Sequence, residues 1–311
     1  MAEITAKMVK ELREMTGAGM MDCKKALAET NGNMDEAVEF LRKNGQAKAE
    51  KKAGRIAAEG ICKIAVDGDK VAAVVEVNSE TDFVAKNEQF QEFVGNVANQ
   101  VISSNAADVD ALLAETYAAD TTKTVKEALV EKVATIGENL SIRRFAKVVA
   151  ENGCVVSYTH GGGRIGVIVE SATDVVNDAI KEAMTNVAMQ IAALSPKYVC
   201  RDEVDAAYLE HEKEIIKAQI MNDPKESQKP EKVIEGMISG RINKELKEIC
   251  LVDQVYVKAE DGKQTVGQYV AQVAKENGAN FSIKKFVRFE TGEGLEKKQE
   301  DFAAEVAAQL G

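Results

Sequence analysis

The chain contains a partial copy of itself. Two similar segments of one chain fold alike, so this repeat constrains the architecture more than any composition does. "VNSETDFV" (Val77–Val84) matches "VESATDVV" (Val169–Val176), with Asp82 falling 92 residues before Asp174. "NLSIRRFAKV" (Asn139–Val148) matches "NFSIKKFVRF" (Asn280–Phe289), with Ile142 falling 141 residues before Ile283. Each copy reads as hairpin, helix and later strand. The hairpins turn at "DGDK" (Asp67–Lys70) and "HGGGR" (His160–Arg164), where glycine permits the backbone a tight turn requires. "VAAVVEV" (Val71–Val77) has the unbroken apolar character of a strand buried on both faces. After it, Phe90, Phe93, Val94, Val97 and Val101 recur at helical spacing.

The two offsets differ by 49 residues (92 against 141), so the second copy carries a net insertion of that size. Helical periodicity locates it. Val204, Tyr208, His211 and Ile215 line the stretch Glu203–Ile220, and Ile234, Ile238, Ile242, Leu246 and Ile249 line Glu231–Ile249. The prolines of "MNDPKESQKP" break the chain between them. The expectation is an antiparallel helical hairpin with little core of its own, packing on a partner or on a second copy. The chain closes on "TGEGLEKKQEDFAAEVAAQLG", in which Leu295, Phe302, Val306 and Leu310 make a narrow helical stripe.

The first fifty residues read as three helices. Ile4, Met8, Leu12 and Met15 form one stripe, and the two glycines of "TGAGMM" (Thr16–Met21) break it. A second helix, "DCKKALAET", ends at Asn31-Gly32. A third begins at Asn33, with Glu36 three residues on as in a capping box, buries Met34, Ala37, Val38 and Leu41, and stops at Asn44-Gly45. This unit resembles a ubiquitin-associated-type domain, either a protein-binding module or a cap packed on its own chain. "KAEKKAGR" (Lys48–Arg55) reads as a linker.

The remaining totals exclude more than they select. A net charge of −11 over 311 residues argues against a nucleic-acid surface, which needs a basic footprint. No apolar run is long enough to span a bilayer. Five widely spaced cysteines without a CxxC pair point to reduced thiols, hence to a cytoplasmic protein. No motif has metal-ligand spacing or the form of a known nucleophile. "HGGGRIGVIV" leads into a strand, whereas phosphate loops lead into a helix N-terminus. An acyl- or thiol-transfer enzyme would have to be built on Cys154 and His160, which nothing in their spacing favours.

One residue stands out against this background. Phe83 lies in the corner between strand and helix, either tucked into the core or offered to something else. In the repeat, Thr81-Asp82 recurs as Thr173-Asp174, which favours Asp82 and Asp174 as helix caps. The counterpart of Phe83 is then Val175, so the fold asks for an apolar residue but not for an aromatic one.

"MVKELREMTGAGMMDCKKAL", "NSETDFVAKN", "HGGGRIGVIV" and "GEGLEKKQEDFAAEVAAQ" together resemble bacterial elongation factor Ts, in order and over nearly the whole chain. Ser79 departs from the cysteine usual there. The resemblance implies an α+β fold: a ubiquitin-associated-like domain (1–54), two related core subdomains (55–151 and 152–289) and a C-terminal module (290–311). The second core subdomain carries the helical hairpin at about 202–250. It further implies a guanine-nucleotide exchange factor, not an enzyme, that binds elongation factor Tu with GDP or nucleotide-free. In the family, the stretch corresponding to Thr81, Asp82, Phe83 and Val84 meets that partner, its phenylalanine acting as a wedge that disturbs the magnesium and phosphate site. Lys10, Arg13, Met20, Met21 and Lys24 match a second contact and His160 a third. No cofactor of its own, no nucleic acid and no membrane are implied, and the hairpin is the expected place for self-association. The alternative from another class is a protein-binding adaptor or scaffold with no effect on a nucleotide.

Overall fold

The computed structural model describes residues 4–296; the stripe residues Phe302, Val306 and Leu310 lie outside them. The N-terminal helices are α1 (Ala6–Thr16), α2 (Met20–Glu29) and α3 (Met34–Lys52). Thr5 caps α1 through the Met8 N–H, and Gly17 ends it with a left-handed φ of 66°. Asn33 caps α3 through the Glu36 N–H. Leu12, Cys23, Ala26, Leu27 and Ala37 make a small core in which Met8, Val38 and Leu41 also pack, whereas Met15 turns outward.

Two expectations fail here for one reason. α3 does not stop at Asn44-Gly45, and "KAEKKAGR" is not a linker: its lysines form the last turns of the same helix. A helical glycine costs about 1 kcal/mol relative to alanine. Here Gly45 is buried, and a Cβ built on it would lie 3.4 Å from that of Ala134. Ala134 belongs to α7 (Val125–Ile136), so the two helices meet at small residues and their packing carries α3 through. Arg42 pairs with Glu127, and Lys52 Nζ donates to the Gly137 carbonyl at 2.5 Å.

The first sheet has the order β1 (Glu59–Asp67), β2 (Val71–Ser79), β3 (Ser141–Val149), all antiparallel. Between β2 and β3 lie α4 (Asp82–Ala85), α5 (Glu88–Ser103), α6 (Val109–Ala114) and α7. The second sheet has the order β4 (Val155–His160), β5 (Ile165–Ala172), β6 (Ser282–Glu290), again antiparallel. Between β5 and β6 lie α8 (Asp178–Leu194), α9 (Ala206–Asn222), α10 (Glu231–Ile249) and α11 (Val266–Glu276).

β2 is buried on both faces, as its composition requires. Ala73, Val75 and Val77 face Phe90, Phe93, Val94 and Val97 of α5, while Ala72 and Val74 face the second sheet. Each of those phenylalanines contributes roughly 1.5–3 kcal/mol by burial. α8 and α11 cover the far side of the second sheet in the same way. The layers therefore run helix, sheet, sheet, helix. The sheets approach closely because Gly166 faces β2: a Cβ there would sit 3.1 Å from Val74 Cγ2.

Hydrogen bonds extend the repeat and correct its register. Glu76 opposes Arg144 across β2 and β3, and Glu170 opposes Lys285 across β5 and β6. The strands thus correspond at 94 residues (76 to 170), not at 92. Ser79 and Thr173 each donate to the carbonyl two residues on, at the same 94-residue spacing. The helices correspond at 90 residues, from the caps Asn87 and Asn177 through the buried Gln100 and Gln190. Each glutamine donates to one loop carbonyl (Thr116, Val255) and accepts the N–H two residues later (Ala118, Val257). Those loops correspond at 139 residues (116 to 255), so the second copy gains 49 residues between its helix and this loop. The corrected strand register makes the net insertion between the early and late strands 47 (141 against 94).

In the first copy, eight residues (79–86) separate Asn78 from Asn87. In the second, four (173–176) separate Ala172 from Asn177. The first copy thus has four extra residues here, the length of α4. Phe83 therefore has no counterpart, and the apparent Thr-Asp match was a slip of two residues.

The hairpin α9–α10 is present, but its seam is shifted. Asp205 caps α9, which starts at Ala206 rather than Glu203. Ile216 and Ile220 are buried with Val204, Ile242, Leu246 and Cys250, while His211 and Ile215 face outward. The hairpin thus has a core of its own.

Glu76 is fully buried between the sheets. It accepts from Arg143 Nη1 at 3.0 Å, Arg144 Nε at 2.5 Å and the Gly292 N–H at 2.8 Å. Burial pushes its carboxyl up, but the Gly292 N–H and the two guanidinium groups outweigh that and hold it below the ordinary value. Glu76→Ala should cost roughly 3 kcal/mol, the low end for a broken buried pair, because both arginines keep some contact with water. The carboxyl's folded-state value lies below its unfolded one. Its contribution is therefore full above about pH 4.3 and fades as pH falls further. Urea unfolding of wild type and Glu76→Gln should give a stability gap that is flat near neutrality and narrows in acid. A gap that widens on acidification rejects the ion-pair account.

Candidate functional site

The four residues of α4 divide by face. Val84 and Ala85 point down into the first core, and Phe83 points out with 80% of its surface exposed. That exposure settles whether Phe83 is tucked into the core: it is not a core residue. A large exposed aromatic on a short, ordered turn is a marker of interaction surfaces.

What holds the turn is a set of hydrogen bonds to its neck. Thr81, not Asp82, is the helix cap: its hydroxyl accepts from the Val84 N–H. The same hydroxyl donates to Glu138 Oε1 at 2.6 Å. Glu138 Oε2 accepts from the Glu80 and Thr81 N–H groups at 3.0 and 3.1 Å. Glu80 in turn accepts the Asn139 N–H at 2.6 Å and pairs with Arg55 at 3.4 Å. Asn139 Nδ2 donates to the Arg55 carbonyl at 2.8 Å. The turn after α7, bent by Gly137 with φ 91°, thereby anchors both the Phe83 turn and the end of the N-terminal helices.

Asp82 is exposed and pairs with Lys86 at 2.6 Å, and that hydrogen bond holds its carboxyl below the usual range. Asp174 is no cap either. It accepts from the Asn280 N–H and Nδ2, both at 2.8 Å, which is the place Glu80 fills in the first copy; Asn177 caps α8. The physical reason is the register: a cap must immediately precede its helix, and the two aspartates stand at different distances from theirs.

The other sequence-derived positions are surface residues on separate elements. Lys10 and Arg13 are exposed on α1, and Met20, Met21 and Lys24 on α2, where Cys23 and Leu27 take the interior positions. Met21 is 74% exposed and Met20 60%. Two neighbouring exposed thioether side chains, with Lys24 one turn further along α2, make a deformable apolar surface. His160 is exposed at the end of β4, its Nδ1 3.0 Å from Tyr158 Oη. Cys154 is buried beyond the opposite end of that strand against Ser171 and Met184, roughly 15–20 Å from His160 at strand rise. The pair required for thiol chemistry is not assembled. Among the described residues, no His, Cys, Asp and Glu cluster could hold a metal, and no helix is long and apolar enough to cross a membrane.

Sequence reasoning missed Glu138 and Arg55. A glutamate directly after a glycine-terminated helix carries no pattern by itself, and its three donors come from a segment more than fifty residues earlier in the chain.

Comparison with known proteins places this geometry in a family. Residues 80–293, from the neck of the Phe83 turn to the loop after β6, match the family model described as elongation factor TS. A protein of Clostridioides difficile strain 630 named elongation factor Ts is 54% identical over 311 residues, covering all of both chains. Proteins of the same name from Clostridium novyi strain NT and Clostridium perfringens strain SM101 are 51% and 53% identical, over 99% of each chain. With β3 and the whole second sheet inside the matched region and relatives aligned from end to end, the chain belongs to the elongation factor Ts family of translation elongation factors.

Proposed function

We propose that the chain is a cytoplasmic guanine-nucleotide exchange factor that binds elongation factor Tu and releases its GDP, with Phe83 as the wedge. The observation that carries this reading is the exposed phenylalanine on a four-residue helical insertion absent from the second copy. The N-terminal unit (1–54) contributes a second contact through Lys10, Arg13, Met20, Met21 and Lys24. His160, on the second core subdomain, contributes a third. Thr81 and Val84 seat the wedge, and Asp82 lies beside it within reach of the partner. GDP and magnesium belong to the partner's site.

Exchange needs no proton transfer, which suits a protein of this kind. A nucleotide held at nanomolar affinity is bound by about 12 kcal/mol. Burying one phenylalanine supplies roughly 1.5–3 kcal/mol. The wedge alone therefore cannot evict GDP. Most of the binding energy has to come from the wider surface, and Phe83 directs it against the magnesium and phosphate contacts. The coupling is reciprocal: GDP weakens the factor by the same ratio as the factor weakens GDP.

Stopped-flow release of labelled GDP from elongation factor Tu tests the reading. Wild type should accelerate release, and Phe83→Ala should lose most of that acceleration while its melting temperature stays at the wild-type value. Binding without acceleration would instead describe an adaptor. Loss of about 3–5 kcal/mol of stability in Phe83→Ala would return the residue to the core.

The cap assignment gives a separate outcome. Thr81→Ala should cost about 0.5–2 kcal/mol and reduce exchange, because it removes both the cap and the bond to Glu138. Asp82→Ala should leave stability unchanged in denaturant titration. The reverse order would restore Asp82 as the cap.

A further inference from the structure

We propose that Glu138 is the positioning residue of the exchange reaction: its carboxylate fixes the Phe83 turn in the orientation that the partner requires. This rests on the exchange reading above and adds to it a residue outside the turn. Three donors converge on one carboxylate, the N–H groups of Glu80 and Thr81 and the hydroxyl of Thr81. That hydroxyl is the same atom that caps α4, so the chain of bonds runs from Glu138 through Thr81 to the Val84 N–H, beside Phe83.

The duplication supplies an internal control. Ser141 and Ser282 occupy equivalent pairs in the two sheets, and at the same spacing Glu138 corresponds to Ala279. Asn139 and Asn280 behave alike, each donating its N–H to a carboxylate from the strand end, Glu80 or Asp174. The second copy thus keeps the shared bond, lacks the four-residue insertion and lacks the extra carboxylate. A group needed only for the sheet would have a reason to occur in both copies. This one accompanies the insertion that carries Phe83.

A one-turn helix has too few internal hydrogen bonds to hold itself. A wedge that wanders still docks, since the wider surface supplies the affinity, but it seldom meets the magnesium and phosphate site. Glu138→Ala should therefore lower the maximal rate of GDP release from elongation factor Tu roughly ten- to hundredfold. The concentration of factor giving half that rate should change by less than about twofold. Glu138→Gln keeps one oxygen able to accept from the neck and should recover part of the rate. In the Phe83→Ala background, Glu138→Ala should add less than about a twofold loss.

If Phe83→Ala alone leaves release unchanged, the exchange reading itself fails. If Phe83→Ala is defective while both Glu138 variants match wild type, only the positioning role is overturned. Additive losses in the double variant, or a rise in the half-saturating concentration matching a fall in melting temperature, would make Glu138 a structural residue and overturn it too. Should Glu138→Ala not fold, the Gln variant carries the same comparison, alone and with Phe83→Ala.

Discussion

A carboxylate with no access to water organises this molecule. Glu76 sits on the central strand of the first sheet, opposite a bulge in β3. Glu76 opposes Arg144, Val77 opposes Ile142, and Arg143 is left over. Neighbouring residues on a regular strand point to opposite faces; the bulge lets Arg143 and Arg144 both reach the same carboxylate. The second sheet repeats the device, with Lys284 as the leftover residue and Glu170 as its carboxylate, 2.8 Å apart. Only the first version reaches across the sheets. Arg144 also lies over the Phe289 ring and donates to the Glu290 carbonyl, and the Gly292 N–H returns to Glu76. Gly292 has φ 72°, and a Cβ there would lie 2.1 Å from the Ala58 carbonyl oxygen, so no other residue fits. The loop after β6 is thereby latched onto the first sheet.

That latch makes divergence of the two copies tolerable. Each copy contributes an inner face of small and β-branched residues to a shared layer, so neither can change there without disturbing the other. The changes sit instead at the ends of the helices: four residues after β2, and a net 49 between α8 and the loop that accepts Gln190. The hairpin closes its own small core, and α4 seats Val84 and Ala85 in the existing one. Neither addition asks the shared layer to move.

The sequence exposed those parts whose periodicity is local. The strand buried on both faces, the α5 stripe, the two hairpin turns and the inserted helices were legible because neighbours along the chain alone decide them. α3 was cut short because Gly45 is a breaker until Ala134, 89 positions later, packs on it. The hairpin seam slipped by one residue because Ile215 and Ile216 are equally apolar and only α10 chooses between them. The repeat was found but misregistered: a resemblance of Thr-Asp to Thr-Asp outweighed hydrogen bonds that letters do not show. Phe83 stands out in the sequence and is exposed in the structure, yet not for the reason the repeat suggests. It is not a specialised version of Val175; it sits on a turn that the other copy does not have.

This alters how the candidate site is to be understood. A substituted corner residue would have inherited the packing of its counterpart and exchanged core burial for exposure. An inserted turn inherits nothing, so its order has to come from groups recruited around it. Glu138, Glu80, Asn139 and Arg55 form that surround, and Glu80 and Asn139 both bond to Arg55, just past the end of the N-terminal helices. Exposed apolar surface of this size is unfavourable in the free protein. It persists because Val84 and Ala85 anchor the turn from below while Glu138 holds its neck. The free energy withheld by leaving Phe83 in water is available to whatever covers it. In the proposed exchange reading, an ordered turn spends little of it on entropy at that moment, which is the advantage of an exposed aromatic on a fixed corner over one on a loose loop.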